Sequence, residues 1–211
     1  MAQNRAKDSS KSRRRLTAKG AATRLRIVEA AAALVYAAGA GRLNLDEVMA
    51  ACGASKSQLY HYFADKEALI EEVIAFQTQH VLAVNVAHLE ALDSFASLRR
   101  WRDDLIERNR ASGGFGGCPI GALADELAKV SPSARERLAG GLEAWAARIE
   151  RALRAMKAKG LLDTAARPKE LSLAVLAAIQ GGLLLAKVSR ASRPLELAFD
   201  MALDHVARHA T

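Results

Sequence analysis

The stretch Asn44-Leu-Asp-Glu-Val-Met-Ala-Ala-Cys-Gly-Ala-Ser-Lys-Ser-Gln-Leu-Tyr-His-Tyr-Phe-Ala-Asp-Lys-Glu-Ala-Leu69 decides how this chain is read. Leu45, Val48, Met49 and Cys52 fall at i, i+3, i+4 and i+7, one apolar face of a two-turn helix. Asn44 is its N-cap, and Asp46 and Glu47 suit the positive end of its dipole. Gly53 stops it at a position that calls for φ > 0. Ser55 and Gln58 form the S-x-x-Q capping box of a second short helix, which ends near Tyr62 or Phe63. Asp65 caps a long helix after that. Two short helices joined by a tight glycine turn, the second opening on small polar residues, make a helix-turn-helix. Lys56, Ser57, Gln58, Tyr60 and His61 form the exposed face that such a helix lays in the major groove. Gln pairs with adenine, Lys with guanine or phosphate, and Tyr and His with phosphate or the thymine methyl. Leu59 and Phe63 are expected to face the core.

Charge supports that reading. Residues 1–62 hold eleven Lys/Arg against four Asp/Glu, while the rest of the 211-residue chain is nearly balanced, so most of the net +8 lies in the first third. Such asymmetry points to a polyanion-binding N-terminal part. Seven of those cations, Arg5, Lys7, Lys11, Arg13, Arg14, Arg15 and Lys19, sit in residues 1–20, which lack apolar periodicity and read as a flexible basic arm. A solvated tail explains charge alone, so the helix-turn-helix carries the argument.

Outward from the motif, everything reads as helix. An apolar fraction of 51% excludes disorder throughout. The four prolines, at 119, 132, 168 and 194, each suit the first turn of a helix. A first helix is expected over about 22–38, closed by Gly39 and Gly41. After the helix beginning at Asp65, five more follow, over roughly 94–110, 119–130, 132–159, 168–190 and 194–209. The expected fold is all-α with about nine helices. It comprises a basic arm (1–20), a three-helix helix-turn-helix domain (21–68) and a C-terminal helical bundle (69–211). The longest apolar stretch, Leu171 to Val188, is interrupted by Ser172, Gln180, Gly181, Gly182 and Lys187, and reads as a bundle helix rather than a membrane span. Two cysteines, Cys52 and Cys118, in no CxxC spacing, argue against a disulfide scaffold and a zinc finger. A reduced, cytoplasmic setting is expected.

The stretch 44–69, with its S-K-x-x-L-Y-H-Y-F-x-x-K-E-x-L core, resembles the DNA-binding signature of TetR-family transcriptional regulators. The resemblance covers residues 22–75, and the helix count agrees with it. It implies a homodimeric repressor with a small-molecule effector site in the C-terminal part and release from double-stranded DNA when that site fills. Asn44, Lys56, Ser57, Gln58, Tyr60, His61 and Tyr62 match positions where family members touch DNA, and Lys66 matches a phosphate-contacting lysine. Tyr62 is also suited to bracing the core. Gln58 stands where the family commonly has a small residue, so base preference does not transfer. Asn44 stands where Thr is usual, and both cap a helix.

The effector half offers fewer signals. Gly117-Cys-Pro-Ile-Gly-Ala-Leu-Ala-Asp-Glu126 resembles a segment of one subgroup of the family, some of whose members sense electrophiles or oxidants through that cysteine. Cys118 at a helix N-terminus suits a reactive thiolate. As a small apolar residue it equally suits packing. Phe76, Trp101, Phe115 and Trp145 are candidates to line an apolar pocket, or core residues. Gln77 and His80 are added because the long helix carrying them joins the two halves. A dimer interface is expected on the last two long helices, with Ala178, Gly181 and Gly182 allowing close approach and Leu183, Leu184 and Phe199 supplying apolar area. His205 and His209 have a metal-compatible spacing but no third ligand, and no catalytic fingerprint occurs, so no metal, cofactor or enzymatic activity is expected. An effector-independent activator or architectural DNA-binding protein would show the same arm and motif.

Overall fold

The computed structural model describes residues 16–114 and 117–211. Most of the basic arm, residues 1–15, and Phe115 lie outside the described residues. The described residues form helices α1 (Ala18–Ala38), α2 (Leu45–Cys52), α3 (Lys56–Tyr62), α4 (Lys66–Glu90), α5 (Phe95–Ala111), α6 (Pro119–Leu127), α7 (Pro132–Ala158), α8 (Pro168–Ser189) and α9 (Arg193–Ala207). The fold is all-α, as the patterning indicates.

Local chemistry sets the boundaries. Thr17 caps α1 by accepting from the Gly20 N–H, so residues 18–20, assigned above to the arm, belong to the helix. Gly53 adopts φ +65° and closes α2. The Ser55–Gln58 capping box forms in both directions, at 2.9 and 3.2 Å. Pro119, Pro132 and Pro168 each open a helix, and Pro194 follows Arg193 at the start of α9. The sixth helix stops at Leu127, three residues short of the expected end. The N–H groups of Val130 and Ser131 both turn back to the Leu127 carbonyl there.

α4 belongs to two packing layers. Its first turns bring Leu69, Val73 and Ile74 against α1, whose Ile27, Val28, Ala31, Ala32 and Val35 complete the core of the N-terminal head, with Val48, Leu59 and Phe63 from α2, α3 and the residue after it. Its later turns bring Val81, Leu82, Asn85 and Leu89 into the C-terminal body beside α5 and α7. There α7 contributes Leu138, Trp145, Ile149, Leu153 and Met156, buried at helical spacing along one face. Each such side chain, fully buried, stabilises by about 1.5–3 kcal/mol.

α8 and α9 pack closely, and here the expected dimer residues move. A Cβ placed on Gly182 would lie 2.8 Å from the Leu195 Cα, so this glycine admits α9 of its own chain rather than a partner. Leu183 is buried, and Phe199 is fully buried with its ring edge-on to Trp101 at 5.1 Å. The expectation that these three supply an intersubunit surface is therefore corrected. The helical phase puts them inside, and Leu173, Leu184, Leu185 and Val188 on α8 with Leu197 and Met201 on α9 outside. By length and apolar composition α8 would pass for a membrane-crossing helix, yet its Leu171, Val175, Leu176 and Ile179 are buried among other helices. Salt bridges also join α5 to α9: Arg102 pairs with both carboxylate oxygens of Asp200 at 2.9 and 2.8 Å. Glu196, held below the usual carboxylate range by hydrogen bonds from Arg193 and Arg110, adds a second tie.

Glycine environment separates two substitutions. Gly182→Ala is expected to destabilise by about 1–3 kcal/mol through overpacking against Leu195. Gly140→Ala, on α7 where an added Cβ meets nothing within 4 Å, should stabilise by up to about 1 kcal/mol through helix propensity. Urea denaturation of both variants checks the contrast.

Candidate DNA interface and effector cavity

α3 stands outward from the head because only Leu59 on it, and Phe63 just after it, are fully inserted. Lys56, Ser57, Gln58, Tyr60 and His61 are all exposed, as the periodicity requires. Asn44 is exposed and its side chain caps α2 by accepting from the Asp46 N–H at 2.9 Å. Three residues have further engagements. The Gln58 carbonyl oxygen accepts from the Ser55 N–H, so its first duty is structural. Tyr62 is half-buried against the head's core, with its hydroxyl close to Gly20 at the start of α1, so it braces α3 on α1. Lys66 donates to the Gly41 carbonyl at 3.2 Å, which ties the start of α4 to the α1–α2 turn. Arg42, absent from the sequence candidates, is exposed on that same turn, two residues before Asn44.

The C-terminal body holds a cavity of about 290 Å³, open on one side, between α4, α5, α7, α8 and the start of α6. Of the sequence candidates, His80, Cys118 and Trp145 meet there. Trp101 does not. Its indole N–H donates to Asn85 Oδ1 at 3.1 Å and its ring packs on Phe199, which makes it a core residue. Phe76 lies in a groove between α1 and α4, and Gln77 is buried near Val35, Leu123 and Glu126. Phe76 is turned about 100° around α4 from the wall that residues 80, 81, 84 and 85 form, whereas Gln77 shares that face one turn earlier, where Val35, Leu123 and Glu126 surround it. Cys118 is buried at the N-cap of α6 and supplies no side-chain cap bond.

Sequence reading missed Asn85, Arg108 and Asn109 on the cavity wall. A signal existed: Asn85 and Asn109 interrupt apolar stripes, in series with Val81 and Leu89 on α4 and with Leu98, Trp101 and Leu105 on α5. A buried amide within such a stripe marks a polar network. The side chains form that network: Asn85 donates to the Val81 carbonyl and accepts from Trp101, and Arg108 reaches Asn85 while pairing with Asp104.

Glu126 was also missed. From the last turn of α6 its carboxylate accepts the Ala40 N–H at 2.6 Å and the Gly41 N–H at 3.3 Å. α6 thus starts at the cavity wall with Cys118 and Pro119 and ends on the turn that leads into α2. A wider cleft of about 590 Å³ lies on the other side of α6, against Gln180, Gly181, Leu184 and Lys187 of α8.

A three-helix head with an outward α3, continuous through α4 with a helical body, defines a helix-turn-helix DNA-binding regulator. Comparison with known proteins agrees. Residues 27–73 match the family described as bacterial regulatory proteins, tetR family, and residues 94–201 match the C-terminal domain of LmrA/YxaF-like transcriptional regulators. The chain is 32% identical over 164 residues to the transcriptional regulator AcuR of Cereibacter sphaeroides, which spans 74% of this chain and 73% of that protein. It is 29% identical over 175 residues to the regulator LmrA of Bacillus subtilis, spanning 82% and 90%. The solved regulatory protein TetR from Rhodobacter sphaeroides superposes with a TM-score of 0.76 at 25% identity, covering 87% of this chain and 98% of that one. A TetR-family regulator from Cytophaga hutchinsonii shares the fold, with a TM-score of 0.83 at 18% identity over 93% and 99% of the two chains. The chain belongs to the TetR family of transcriptional regulators: it is a DNA-binding protein and not an enzyme.

If Lys56 meets one phosphate, Lys56→Ala is expected to weaken binding to all DNA sequences and to flatten the salt slope by about one unit. Gln58→Ala should behave differently, relaxing preference at one base position by about 1–3 kcal/mol and lowering head stability through the lost capping bond. Binding titrations on a panel of base variants, over several salt concentrations, distinguish the two.

Proposed function

We propose that this protein is a homodimeric repressor, acting in the cytoplasm, whose grip on a pseudo-palindromic operator weakens when a small molecule fills the cavity beside α6. The observation that carries the reading is α6 itself, with its first residue at the cavity and its last turn hydrogen-bonded to the α1–α2 turn through Glu126. Charge-assisted bonds of a carboxylate to two N–H groups are short and directional, so a shift of α6 moves the head with it. Cys118 enters as a wall of the cavity, and the effector binds without a covalent step. Electrophile adducts that release wild type but not Cys118→Ser would replace that part of the reading.

The outer face of α8 and α9 supports the dimer. Leu173, Ala177, Gly181, Leu184 and Val188 are all exposed at helical spacing on α8, beside Leu197 and Met201 on α9. An apolar stripe of that extent is expected to meet a second copy across a two-fold axis. Two α3 helices would then meet half-sites about 34–36 Å apart or slightly more. Val188→Glu is expected to give monomers in analytical ultracentrifugation and to lose operator binding while keeping its helical content. A dimer that persists would move the interface elsewhere.

Glu126→Ala tests the coupling. On operator DNA selected from random sequence, hydrogen exchange of the α6 amides should slow in wild type, by the reciprocity of linked sites. It should not change in the variant, whose α3 is intact. An effector-independent activator or architectural protein would show no such coupling in either.

A further inference from the structure

The cavity makes a specific chemical demand. Its apolar wall is built by Val81, Val84, Leu105, Leu183 and the Trp145 ring, and it holds about 290 Å³, the low end of small-ligand sites. Trp145 is 2% exposed, and its indole Nε1–H is buried without a hydrogen-bond partner among the described residues. The same body contains its counterexample: the Trp101 indole, equally buried, donates to Asn85 Oδ1. An unmet buried donor is costly, so one carried by a side chain that lines a cavity marks a place where something else accepts.

The charges narrow what that is. Among the described residues Arg108 is the one lysine or arginine on the wall, and it already pairs with Asp104 and reaches Asn85. Among the described residues no carboxylate lines the cavity, and His80 stands exposed. A carboxylate ligand would have to compete with Asp104 for Arg108, and an ammonium would find no counter-charge. We infer that the cavity takes a neutral, mainly apolar small molecule whose carbonyl oxygen accepts the hydrogen bond from Trp145 Nε1–H. This assignment rests on the ligand-responsive reading above and names the chemistry of that ligand.

The test uses the full-length protein with 15N-labelled indoles, of which there are two, and three probes of similar shape: acetophenone, isopropylbenzene and benzoate. Acetophenone should saturate and move one indole N–H signal downfield. Isopropylbenzene should leave that signal's hydrogen-bond shift unchanged, and benzoate should bind more weakly than acetophenone. Trp145→Phe keeps the ring and removes the donor. It should weaken acetophenone about five- to tenfold and leave isopropylbenzene unchanged. Should the variant fail to fold, the wild-type indole shift decides. Equal treatment of acetophenone and isopropylbenzene, tighter binding of benzoate, or saturation by no probe would each overturn the assignment. Release from operator DNA is scored separately. Acetophenone bound on Trp145 without release would leave the assignment standing and remove the ligand-responsive reading. Release by isopropylbenzene, independent of Trp145, would do the reverse.

Discussion

Because α4 runs unbroken from Lys66 to Glu90, the packing of its first turns and of its last turns cannot be chosen independently. Leu69, Val73 and Ile74 fix it in the head, and Val81, Leu82 and Leu89 fix it in the body. A close-packed interior resists sliding by fractions of a side chain. Head and body are thus joined by a rod, and any change that reaches the rod is delivered to α3 as rotation or tilt rather than dissipated as local disorder. Lys66 and Asp65 strengthen the joint at its base, the one through the Gly41 carbonyl and the other by capping α4.

Glu126 adds a second tie, and its placement makes the first one directional. The carboxylate binds Ala40 and Gly41, beside Gly39, whose φ of +91° lets the chain turn sharply toward α2. A Cβ on Gly39 would stand 3.0 Å from both Glu126 oxygens, so the glycine admits the carboxylate as well as the turn. The head is consequently held at two points, by α4 beneath α1 and by α6 beneath the turn before α2. Two attachments on separate helices convert a small relative movement of those helices into reorientation of the head, the rigid-body class of switch.

How much of this could be read beforehand depends on the range of the interaction. The helix-turn-helix was legible almost to the residue because its determinants are local: the Asn44 cap, the φ at Gly53 and the reciprocal Ser55–Gln58 bonds each span at most three residues. The helical phase of α8 was not, since that helix is apolar on both faces and periodicity offers no choice between Leu183 inside and Leu184 outside. The cavity was half legible. His80, Cys118 and Trp145 come together there, while Trp101 goes to the core because Asn85, sixteen residues earlier, accepts its indole N–H. The Glu126 bond spans 86 residues and has no local signature, so only the fold reveals it.

On the proposed dimer, α8 gains a consequence from its two-sidedness. Its outer leucines would be fixed by the partner, while its Gln180 side chain lies against Gly121 of α6, where an added Cβ would come within 2.8 Å of Oε1. That contact makes α6 the layer between a stationary α8 and a movable head. A ligand beside Cys118 would then be unable to push α8 aside, because two subunits brace it. The displacement would be directed instead along α6 toward Glu126 and the α1–α2 turn. In an isolated subunit the same ligand could relax α8 outward and leave the head where it was. Dimerisation, in this scheme, does more than set the spacing of two recognition helices: it supplies the fixed wall against which the switch works.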